Sequence, residues 1–139
     1  MTENQNSPAR KRILLADDDH EMLDSLEQLL APTFDIVGKE TNGVSAVEAA
    51  ARLKPDLIVT DLSMPGMGGI EASRRVLENR PGLPIVLVTM HSDAYLVNEA
   101  LNAGIRCYVH KLSAGDELVD AAHCALQGQT FVSPSCRKA

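Results

Sequence analysis

Aromatic side chains are nearly missing from this chain: two Phe, two Tyr and no Trp in 139 residues. Any core it buries must therefore be aliphatic. Long apolar runs are missing too. No segment approaches the roughly 18 consecutive apolar residues of a membrane helix, and the opening "MTENQNSPARKR" has no apolar stretch of the kind a signal peptide needs. An excess of positive charge is also lacking. The net charge of -6 argues against the chain holding nucleic acid by neutralising phosphates. The cluster Arg10-Lys11-Arg12 is shorter than a basic arm and is expected to flank the first strand. Paired cysteines are absent: Cys107, Cys124 and Cys136 stand far apart with no CxxC spacing. That pattern excludes a disulfide framework and predicts free thiols in a reducing cytosol, hence a cytoplasmic protein without a membrane segment.

What is present is a chain of one-domain size, 45% hydrophobic and 23% charged, long enough to bury a proper core. Residues 1–10 are polar and predict a disordered lead-in, 11–130 the folded domain, and 131–139 a tail or the start of a linker. Apolar runs alternate with amphipathic ones. Strands are expected at 12–17, 34–40, 56–61, 83–89 and 106–110, and helices at 20–31, 43–53, 69–79, 93–103 and 114–127. Lys54-Pro55 stops the second helix and Gly104 closes the fourth. Strict alternation of five strands and five helices means βαβ units, so an α/β fold with a doubly wound parallel sheet. The first, third and fourth strands are almost continuous aliphatic runs, as central parallel strands must be. The tail "TFVSPSCRKA" has no period and reads as a short extended end.

Open parallel sheets bind ligands beyond the carboxyl ends of their strands. There the first strand delivers Asp17, Asp18 and Asp19, the third Asp61, the fourth Thr89 and the fifth Lys111. Each has an ordinary reading. Asp19 is most simply a helix N-cap, Asp61 a turn acid, Thr89 a β-branched strand residue and Lys111 a solvated cation. In register at one end of the sheet they form a set. Crowded carboxylates repel one another, and hard oxygens suit Mg²⁺, which keeps several waters in an octahedral shell. A carboxylate beside Mg²⁺, with a hydroxyl and a lysine opposite, is suited to receive a phosphoryl group: aspartate can be the nucleophile, and Thr89 and Lys111 can bind phosphoryl oxygens.

The stretches "LLADDD", "LIVTDLSMPGMGG", "IVLVTMHSD" and "AGIRCYVHK" resemble the receiver domain of bacterial two-component response regulators over about residues 11–135. The resemblance implies a flavodoxin-like (βα)5 fold with strand order 2-1-3-4-5. It also implies a phosphoacceptor at Asp61, a metal-binding acid pair at Asp17 and Asp18, and a metal-ligating backbone carbonyl at Ser63. Thr89 falls on the switch hydroxyl, Tyr108 on the switch aromatic and Lys111 on the lysine of the site. A sensor histidine kinase would phosphorylate Asp61, with the protein itself a phosphoryl acceptor capable at most of self-phosphorylation and self-dephosphorylation. Thr89 would then move toward the phosphoryl group, and Tyr108 would enter the vacated space from an outward position. The surface around the fourth helix, fifth strand and fifth helix would in turn meet a partner or a second copy.

The end "ELVDAAHCALQGQTFVSP" is similar to the NarL/FixJ-type subfamily, usually joined to a helix-turn-helix. DNA would be reached only through such an output domain, so the chain is expected to be either a stand-alone receiver or part of a longer regulator. Leu112 stands where many receivers have proline, leaving the Lys111-Leu112 peptide geometry open, and Met90 is bulky where many are small. Three rivals share parts of the pattern. A pseudo-receiver would keep the fold but lose the site, a phosphatase would move the nucleophile to the first strand, and a flavodoxin-like cofactor binder would not line its phosphate loop with carboxylates.

Overall fold

The structure, a computed structural model, describes residues 10–136; most of the expected lead-in, 1–9, and the last three residues of the tail lie outside the described residues. Its elements run β1 (Arg12–Ala16), α1 (His20–Leu30), β2 (Asp35–Glu40), α2 (Gly43–Leu53), β3 (Leu57–Thr60), α3 (Gly69–Asn79), β4 (Ile85–Thr89), α4 (Ala94–Asn102), β5 (Cys107–His110), α5 (Ala114–Leu126) and β6 (Phe131–Val132), with 3-10 turns at Lys111–Ser113 and Pro134–Cys136. The sheet is parallel throughout, in the order β2-β1-β3-β4-β5-β6. The alternation and the flavodoxin-like order expected from the sequence are both present.

Side chains alternate across a strand, so each central strand feeds two cores. Ile13, Leu15, Val59, Val86 and Val88 face α1 and α5, meeting Leu23, Leu26, Leu30 and Leu118. Leu14, Ile58, Ile85 and Leu87 face the other way, against Ala49, Ala50, Val76, Val97 and Ala100 of α2, α3 and α4. Burial on both faces explains why β1, β3 and β4 read as unbroken aliphatic runs. Local signals close the helices. Asp19 caps α1, its carboxylate accepting from Glu21 N–H at 3.0 Å, worth about 1 kcal/mol. Gly104 takes φ +99 just past α4, a conformation an L side chain rarely adopts. The basic cluster leads into β1, with Arg12 its first residue: the Arg10 guanidinium donates to the carbonyls of Ala31, Thr33 and Phe34, and Arg12 to that of Lys54.

The tail is docked. Phe131 and Val132 pair with Cys107 and Tyr108 as a sixth strand, with Ser133 N–H on the Tyr108 carbonyl at 2.9 Å. An uncovered β5 would present a row of unpaired backbone groups. Two residues are too few to show a period, so the pairing depends on the neighbouring strand alone. β5 is consequently not the sheet edge, and the surface expected around α4, β5 and α5 carries β6 as well. Among the described residues no helix is long and apolar enough to cross a membrane.

Candidate functional site

The carboxyl ends of β1 and β3 lie side by side. Ala16 is in register with Thr60, and the next residues continue the ladder: Asp61 N–H donates to the Ala16 carbonyl at 2.9 Å and Asp17 N–H to that of Glu40 at 3.0 Å. Two acids on neighbouring strands are thus brought together by backbone pairing. Asp17 is fully buried and Asp61 is 7% exposed. Asp18, one residue on, is exposed, and ligand oxygens of Asp17, Asp18 and Asp61 all lie within 4.8 Å of one another.

Lys111, from the turn after β5, places its ammonium 3.0 Å from Asp17 Oδ2 and 3.5 Å from Asp61 Oδ2. Burial raises the pKa of Asp61, and the Asp17 charge raises it further, while Lys111 opposes both. For Lys111 itself burial favours the neutral form, but Asp17 and Asp61 outweigh it and hold the ammonium above its ordinary value. Asp17 Oδ1 accepts from Asp19 N–H at 2.9 Å. Its buried Oδ2 has the lysine charge beside it but no hydrogen bond of good geometry. One cation for three carboxylates leaves the cluster short of positive charge. An oxygen-seeking divalent cation fits this donor set, with Asp17, Asp18 and Asp61 as candidate ligands.

A cleft of about 240 Å³ opens over the cluster, lined by Asp18, Asp61, Ser63, Thr89, Met90, His91 and Lys111. Every site residue read from the strand ends is therefore at this end of the sheet, and Ser63 is on the cleft wall. Asp17 is fully buried, which disfavours the phosphatase alternative, since that would need a first-strand acid open to substrate as the nucleophile. The loop after Asp61 is held close. Gly69 N–H donates to the Leu62 carbonyl at 2.7 Å, and a β-carbon on Gly69 would lie 1.9 Å from the Asp61 carbonyl oxygen. The Lys111-Leu112 peptide is trans, like every peptide among the described residues.

Tyr108 departs from expectation. Instead of standing outward, its ring is fully buried and its hydroxyl donates to the His91 carbonyl at 3.0 Å. The inward ring is part of the second core, which also holds Leu87, Val97 and Cys136. His91 in turn donates its N–H to Thr89 Oγ1 at 3.2 Å. Sequence reasoning missed His91, which joins the two residues of the expected switch; its place two residues after Thr89 was the available signal.

A family model described as the response regulator receiver domain matches residues 13–123. Among curated proteins, the chain is 32% identical over 125 residues to the response regulator GacA of Pseudomonas viridiflava, covering 88% of this chain and 58% of that protein. It is 30% identical over 120 residues to the transcriptional regulatory protein DegU of Brevibacillus brevis, covering 84% and 51%. The chain thus spans little more than half the length of these relatives. Among solved structures, a LuxR-family two-component response regulator from Aurantimonas sp. SI85-9A1 superposes with a TM-score of 0.87 at 32% identity, covering 92% of this chain and 93% of that one.

Proposed function

Because this chain belongs to the response regulator receiver family, we propose that Asp61 accepts a phosphoryl group from a phosphohistidine of a sensor kinase. The observation that carries this reading is the placement of Lys111 within 3.0 and 3.5 Å of two acids from different strands, at the mouth of a cleft that Asp61 lines. The Asp61 oxygen attacks phosphorus in line, the P–O bond forming as the P–N bond to the donor imidazole breaks, and the electron pair leaves with the nitrogen. Lys111 takes one phosphoryl oxygen as an ion pair, and the Thr89 hydroxyl donates to another. Asp17, Asp18, Asp61 and the Ser63 carbonyl would hold Mg²⁺, which supplies positive charge against the three carboxylates and the transferring oxygens.

The product is the phosphorylated chain, so the protein acts as a phosphoryl acceptor in the cytoplasm and not as a general phosphatase. Phosphorylation then biases two arrangements of the Thr89–His91–Tyr108 segment. Since Tyr108 is already inward, the bias falls on the surface above it, where α4, β6 and α5 meet a partner or a second copy. The relative named as a transcriptional regulatory protein supports a role in gene control, with DNA contacted through an output domain and not by the receiver itself. The test is transfer of label from a phosphorylated histidine kinase domain, with magnesium or with a chelator. Label should reach the protein only with magnesium; transfer that ignores the chelator overturns the metal assignment, and no transfer from any kinase or small phosphodonor overturns the acceptor.

A further inference from the structure

Ser133 sits where the sheet stops. Its N–H donates to the Tyr108 carbonyl at 2.9 Å, continuing the parallel pairing of Phe131 with Cys107 and of Val132 with Tyr108. In a regular parallel ladder the next bond would run from His110 N–H to the Ser133 carbonyl. Here that carbonyl accepts from Cys136 N–H at 2.8 Å, because the chain turns away through Pro134–Cys136. His110 N–H goes instead to Ser133 Oγ, at 2.9 Å. The side-chain oxygen has taken the place of the backbone oxygen, so the ladder gains one more rung while the chain leaves the sheet. The hydroxyl proton is given to the Glu117 carboxylate, from the first turn of α5. Ser133 is fully buried, and among the described residues these partners satisfy its hydroxyl.

The residue after His110 is Lys111. β5 is only four residues long, and its last backbone donor is secured by this one hydroxyl. Beyond it the chain enters the 3-10 turn that aims the lysine back over Asp17 and Asp61. We propose that Ser133, oriented by Glu117, is a positioning residue for the phosphoryl site: it fixes the end of β5 and thereby holds Lys111 over the two acids. The proposal rests on the reading of Asp61 and Lys111 given above. It makes residues 131–136 a working part of the receiver, linked to the site through one side chain.

Wild type, Ser133→Ala and Ser133→Thr are compared with acetyl phosphate and Mg²⁺, following phosphoryl gain by intact mass. Mg²⁺ affinity and hydrogen exchange of the His110 amide are followed by NMR. In Ser133→Ala the His110 amide exchanges faster and Mg²⁺ affinity stays within about twofold, since the acids are untouched, but phosphoryl gain slows about tenfold through loss of alignment. Ser133→Thr, which keeps the hydroxyl, restores the rate. A Ser133→Ala rate equal to a competent wild type overturns the proposal alone. So does a slowing matched by an equal loss of Mg²⁺ affinity, or one that threonine does not rescue, for then the role is only structural. A wild type that gains no phosphoryl group overturns the underlying reading and the proposal with it. Should Ser133→Ala not fold, Glu117→Ala decides: slowing with intact Mg²⁺ affinity supports the proposal, and a wild-type rate overturns it.

Discussion

The Tyr108 hydroxyl donates to the carbonyl of His91 at 3.0 Å, and the His91 N–H donates to Thr89 at 3.2 Å, so one loop residue ties the end of β4 to the interior of β5. Any movement of the Thr89 hydroxyl toward the cleft must give up or redirect the second bond, and the first transmits the change to a buried ring.

Removing that hydroxyl tests the link. Tyr108→Phe keeps the packing but leaves the His91 carbonyl without its donor, a loss of about 1 kcal/mol. Melting temperature should fall by a few degrees, and amide shifts should change at Thr89 and His91 while phosphoryl uptake persists. Unchanged shifts at those two residues would mean that the loop and ring are independent.

Asp61 should cost the protein stability. Its carboxyl is raised first by burial and then by the Asp17 charge, with Lys111 opposing in part. A raised carboxyl holds more protons folded than unfolded, so stability falls as pH climbs from the ordinary value of 3.8 through the raised one. Asp61→Asn, measured in chelator, should therefore melt roughly 3–6 °C higher than wild type at pH 7, about 1 kcal/mol. The gain should shrink as pH is lowered toward 4. A variant no more stable than wild type at pH 7, or a gain that grows in acid, would contradict this account of the electrostatics.

Lys111→Ala strips the cluster of its cation. Without metal, the buried carboxylates then repel uncompensated, and stability should drop by about 2–3 kcal/mol, toward the range for a broken buried pair. Added Mg²⁺ should recover much of that loss by binding the folded state alone, about 2.7 kcal/mol at a hundredfold excess over Kd. Calorimetry with and without the ion checks both halves. A variant as stable as wild type in chelator returns the lysine to a solvated surface role.

How much of this was legible from residues differs by element. β1, β3 and β4 announced themselves as aliphatic runs because both their faces are buried, and the acids at their ends could be placed because a parallel sheet puts all carboxyl ends on one side. Asp19 and Gly104 carried their capping roles openly. The tail read as an extended end, but its pairing as β6 could not be read: two residues have no periodicity, and their strand exists only because β5 offers an edge. Ser133 looked like any linker serine, since its work depends on a carbonyl being drawn away by Cys136. The inward ring of Tyr108 is a rotamer set by the second core, and no local pattern encodes it.

The acceptor assignment is tested most directly by intact mass after incubation with Mg²⁺ and a small phosphodonor. Wild type should gain one phosphoryl group, about 80 Da, labile and lost on standing, and Asp61→Asn should gain none. An equal gain by both proteins would show that the phosphoryl group goes elsewhere and that the cleft over Asp61 is not the site of transfer.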